Sequence, residues 1–78
     1  VTWKREVLAG HTFYRAELAR YGEPLALVVG PTTDGRWQAR CGSVTRSTHD
    51  LADAGAYLTT EPTAAAAKRV AVAWATGI

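Results

Sequence analysis

Apolar and polar positions alternate along most of this chain and shift to a helical rhythm only near its end. In "VTWKREVL", Trp3, Arg5 and Val7 fall on one strand face and Lys4, Glu6 and Leu8 on the other. Ala9-Gly10 interrupts the run. "HTFYRAELAR" then sets Tyr14, Ala16 and Leu18 against Phe13, Arg15 and Glu17. Its Ala, Glu, Leu and Arg tolerate a helix, but the aromatic pair and the flanking glycines favour a strand. "YGEP" reads as a tight turn, "LALVV" as a short buried strand, and "GPTTDG" as a second punctuated loop. The cleanest alternation is "RWQARCG": Trp37, Ala39 and Cys41 point one way, Arg36, Gln38 and Arg40 the other.

From Ser43 to Thr59 the pattern weakens. "STHDLADAG" fits a single helical turn capped by Ser47 or Thr48, or a loop, and "AYLTT" a short strand with Tyr57 inward. The closing "EPTAAAAKRVAVAWATGI" is helical. Thr60 or Glu61 opens it, Pro62 is tolerated in its first turn, and Gly77 stops it. Ala67, Val70, Ala71, Trp74 and Ile78 form one stripe at helical spacing.

The pattern predicts an α+β domain: an antiparallel sheet of three to five strands with one C-terminal amphipathic helix packed on one face. Strands are expected within about 2–8, 12–20, 25–29, 35–43 and 55–59, and the helix over about 61–76. Trp37, Trp74, Val70, Leu27 and Tyr57 are the expected anchors of the core. With its single helix on one side, the sheet would leave the other side in water. That open face, carrying Arg36, Gln38, Arg40, Arg15 and Phe13, is the expected partner-binding surface.

Seventy-eight residues are enough for one domain, and 47% hydrophobic content argues against disorder. A net charge of +2 does not demand a polyanionic partner. Seven of the nine basic residues are Arg, whose fork suits phosphate and carboxylate; abundant Ala beside them also fits the codon bias of a GC-rich genome. The single Cys41 permits no internal disulfide, which fits the cytoplasm of a bacterial host. No apolar run has the length of a membrane span, and no signal peptide is expected.

Candidate chemistry is thin. His49-Asp50 near Ser43 and Ser47 suggests a nucleophile–base–orienter group, but no strained nucleophile turn accompanies it. His11, His49 and Cys41 lack metal-ligand spacing. "GPTTDG" is followed by Arg36-Trp37 where a phosphate loop needs Lys-Ser/Thr. No catalytic residue, metal or cofactor is expected.

The segment from the later strands through "TAAAAKRVAVAW" resembles the strand–strand–strand–helix half of a double-stranded-RNA-binding domain. Thr63, Ala67-Lys68, Ala71, Ala73 and Trp74 match that family's last helix. Ala64 and Ala65 stand where the family places its phosphate-gripping lysines, and the family's first helix has no counterpart in Val1 to Leu8. The resemblance therefore implies shared packing without the RNA grip.

In size and build, and in "EPTAAAAKRVAVAWATG", the chain also resembles small accessory proteins of phages and mobile elements, anti-CRISPR proteins among them. A HicB-like antitoxin shares the layout but not a recognisable nuclease-like pattern. The resemblance implies a non-enzymatic interaction protein that inhibits or modulates a host defence protein. The alternative expectation is a small nucleic-acid-binding module using the basic sheet face. A homodimer through a strand edge is the third.

Overall fold

The computed structural model describes residues 1–77. Five strands, β1 (Lys4–Leu8), β2 (His11–Arg20), β3 (Glu23–Pro31), β4 (Trp37–Gly42) and β5 (Ala56–Glu61), form one antiparallel sheet in chain order. Helix α1 (Thr48–Ala54) interrupts the path from β4 to β5, and α2 (Ala64–Ala75) follows β5. The sheet and the C-terminal helix are as the pattern predicts, and α1 makes a second helix.

β2, which tolerates either reading, is a strand because it lies between β1 and β3, where its backbone groups are paired on both sides. β3 continues through Gly30 and Pro31, which the punctuation places in the next loop, and that loop closes instead through Thr32 N–H to Arg36 O at 2.9 Å. At Gly30 an added Cβ would stand 2.5 Å from the Phe13 ring, so glycine is the residue that lets the ring lie across β3.

β3 is buried on both sides. Leu27 and Val29 share one cluster with Ala39, Cys41 and the α2 residues Ala67, Ala71 and Ala75. Ala26 and Val28, of opposite parity, cluster with Leu51 of α1. Leu51 has no exposed surface and sits against Gly42, where an added Cβ would come within 2.5 Å of Leu51 Cδ2. The sheet face expected to stand open is thus partly roofed by α1.

α2 is shorter than predicted. Glu61 ends β5, Pro62 lies before the helix, and Thr63 is the N-cap, its hydroxyl accepting from Ala66 N–H at 3.1 Å. The buried positions are Ala67, Ala71 and Ala75, a line of methyl groups that permits close approach to the sheet. Val70, expected on the buried stripe, is 39% exposed, because that line is centred one flank away. Trp74 packs on the core edge, Leu27 lies fully inside, and Trp37 is half-buried beside Tyr14. Tyr57, expected inward, is 57% exposed, its hydroxyl 3.0 Å from Thr60 Oγ1. A bulge causes this: Arg40 pairs with Tyr57 and Ala39 with Thr59, leaving Leu58 as the extra residue that turns into the core. Ile78, predicted on the α2 stripe, lies outside the described residues.

Two measurements follow. Ala71→Leu forces three carbons into a contact made for a methyl group and is expected to cost about 1–3 kcal/mol in denaturant unfolding. Burial pushes the Cys41 thiol up, with the Arg20 charge pulling it weakly down. The folded state therefore favours the neutral thiol, a contribution fully present below the ordinary value of 9.0 and lost as pH rises through the folded value. Cys41 is expected to react with a thiol reagent near neutral pH only after unfolding, which a stopped reaction with and without denaturant reads directly.

Candidate interaction surface

The sequence groups Arg36, Gln38, Arg40, Arg15 and Phe13 on one working face, and the structure gives most of them internal duties. Arg15 stands beneath the segment leading into α1. Its Nη1 donates to Arg46 O at 2.9 Å and to Thr48 Oγ1 at 3.3 Å, its Nη2 donates to Val44 O at 3.0 Å, and its Nε pairs with Glu17 at 3.1 Å. Only 12% of its side chain is exposed. Thr48, itself buried, donates onward to Glu6 at 2.7 Å, so β1, β2 and α1 are tied by one polar chain. The guanidinium fork satisfies carbonyls that a loop lying on a sheet would otherwise leave unpaired.

Arg40 does the same at the other end of α1. Its Nη1 donates to Gly55 O at 2.6 Å and its Nε to Gln38 Oε1 at 3.0 Å. Phe13 packs with Val28 in the α1-side cluster, across Gly30. Arg36 alone remains an exposed cation, with Nη2 3.5 Å from Thr60 O. Phe13, Gln38 and Arg40 come together around one small cavity beside Ala52, while Arg15 is taken up beneath the segment leading into α1 and Arg36 stands apart at the surface.

The considered chemistry is also rearranged. His49 pairs with Asp53 at 3.3 Å, both well exposed, while Ser47 is occupied as the α1 N-cap, accepting from Asp50 N–H at 3.1 Å. Ser47, His49 and Asp50 therefore form no relay. Among the described residues no three His, Cys, Asp or Glu side chains gather as a metal site. No helix among them is long and apolar enough to cross a membrane.

A different surface emerges beside α2. An open groove of about 560 Å3 runs along the helix, lined by residues that include Trp3, Lys68, Arg69, Val72, Ala73 and Thr76. Lys68 Nζ lies 3.6 Å from the centre of the Tyr14 ring and 5.7 Å from that of Trp3, holding the side chain along the groove wall. Arg5, paired in register with Tyr14, lies on the same side of the sheet. α2 contains no acidic residue, and none of the exposed carboxylates Glu17, Glu23, Asp34, Asp50 and Asp53 lines the groove. Sequence periodicity could not find this site, because it joins the first residues to a helix flank that the predicted stripe leaves unassigned.

Both sheet edges carry features that oppose pairing with another strand. β1 presents Lys4, Arg5 and Glu6, and β5 has its bulge at Leu58 and is followed at once by Pro62. Comparison with known proteins finds no matching family model, no matching curated protein and no matching solved structure.

Arg15→Ala is expected to lower stability by about 2–3 kcal/mol, since several charge-assisted bonds are lost and the carbonyls of Val44 and Arg46 are left unpaired. Amide exchange at Asp50 and Leu51 should quicken more than in α2, and Arg15→Lys should restore little, because an ammonium cannot span these acceptors as a fork does.

Proposed function

We propose that this chain is a non-enzymatic binding domain that seats an acidic, apolar-faced segment of a protein partner in the groove between the first residues and α2. The supporting observation is the pairing of an apolar floor, Trp3, Val72 and Ala73, with Lys68 and Arg69 and no carboxylate in the lining. Apolar area supplies the attraction and the cations select the sign of the partner's charge. The reading takes α2 as lining for the sheet face that carries Leu27 and Val29, with its outer flank left for the partner. Inhibition or modulation of a host defence protein, and an origin in phages or mobile elements, belong to the same proposal; small size and build support them.

Nucleic-acid binding is the weaker alternative. Two of the three arginines expected to track phosphates, Arg15 and Arg40, are spent on backbone carbonyls at Val44, Arg46 and Gly55, and Ala64 and Ala65 bring no charge to the start of α2.

Arg69→Glu combined with Ala73→Glu reverses the rim at positions outside the buried line of α2 and should leave the fold intact. Affinity-tagged wild-type protein is expected to retain one stoichiometric protein from bacterial lysate, and the double variant to bind that protein at least about tenfold more weakly, a difference of about 1.4 kcal/mol. Capture unchanged by the substitutions would remove the groove from the interface. Binding to duplex or single-stranded nucleic acid that falls steeply with added salt would decide for the alternative.

A further inference from the structure

The two tightest turns of the sheet have the same geometry and very different side chains. Ala9-Gly10 joins β1 to β2 with φ of 50° and 80°, and Tyr21-Gly22 joins β2 to β3 with φ of 51° and 79°. Two-residue hairpin loops of this kind ask for Asn, Asp or Gly at the first position, where a side chain must enter the left-handed region. Ala9 meets the demand with the smallest side chain, whereas Tyr21 puts a bulky ring there. The ring gains no burial in return: Tyr21 is 85% exposed.

What the ring touches is Arg20. The guanidinium carbon of Arg20 lies 4.9 Å from the centre of Tyr21 and 4.0 Å from that of Trp74. Arg20 Nε is buried and has no hydrogen-bond partner among the described residues. Glu23 faces Arg20 across the hairpin, yet neither ion pair among the described residues includes Arg20. An arginine is thus held by stacking, with hydrogen-bonding capacity left over, beside an aromatic ring projecting from a rigid tip.

We infer that Tyr21, Arg20 and Trp74 form a protein-docking hot spot, in which the Tyr21 tip enters a concave surface on the partner and Arg20 receives a carboxylate there. Tyr, Arg and Trp are the residues most enriched among side chains that dominate binding energy. A two-residue turn fixes the tip before binding, so little conformational freedom is lost on docking. Stacking on Trp74 and Tyr21 commits none of the N–H groups, and the two Nη groups form a fork that matches a carboxylate. A lone stacked arginine offers few of the phosphate contacts that nucleic acid binding requires, whereas one fork suffices for a single carboxylate. The inference stands on the hairpin and is independent of the groove beside α2.

The test separates fold from docking. Tyr21→Asn suits the turn better, so its melting temperature is expected to be unchanged within about 1 °C or raised by up to about 4 °C. A clear fall would show that the ring serves the fold and would overturn the inference. In parallel, p-benzoylphenylalanine placed at position 21, and at position 9 as control, is irradiated in bacterial lysate. The expected result is a protein cross-linked from position 21 and not from position 9, with Asp or Glu in the cross-linked peptide. Arg20→Lys, combined with the same probe, should cut the yield by about tenfold. Equal cross-linking from both tips, yield unaffected by Arg20→Lys, or capture of nucleic acid or of a second copy of the chain would each overturn it.

Discussion

β3 has no face it can give to water, and the other elements are arranged around that constraint. Leu27 and Val29 need a cover on one side, Ala26 and Val28 on the other. α2 meets the first need with Ala67, Ala71 and Ala75, α1 the second with Leu51. Small residues do this because the covers must come close: methyl groups on α2, and glycine at 42 and 30 under Leu51 and Phe13. The large rings are displaced outward as a consequence. Trp3, Tyr14, Trp37 and Trp74 all surround the core as partly buried side chains, where one edge can still meet another molecule.

The arginines divide along the same line. Arg15 and Arg40 lie on the side roofed by a short helix and its loops, where carbonyls of Val44, Arg46 and Gly55 need donors. A short helix with one buried leucine has little apolar area to hold it, and the two forks supply what the area does not. On the α2 side, cations instead lie over rings: Lys68 on Tyr14, Arg20 on Trp74. These contacts spend no N–H groups on backbone carbonyls, and Arg20 Nε has no hydrogen-bond partner among the described residues.

The Leu58 bulge links fold to surface in a third way. One extra residue in β5 keeps Leu58 inward, turns Tyr57 out, and spoils the regular edge that another strand would pair with. With charges along β1, the sheet ends at both sides in features that suit recognition by side chains over extension of the sheet.

The strands, the C-terminal helix and the inward parity of Trp37, Ala39 and Cys41 were legible in the sequence, because local periodicity records which face of an element is buried. Leu27 as a core residue follows from the same rule. The exposure of Val70 and Tyr57 was not legible: a rotation of the α2 contact line and a one-residue bulge both depend on how neighbours pack, which no single segment encodes. Nor could periodicity separate an arginine facing water from one facing a loop that folds back over it, so Arg15 and Arg40 read as surface. Local chemistry sets what each element is; which faces remain uncovered is settled only when distant segments, 43–55 over the sheet and Trp3 beside α2, compete for the same area.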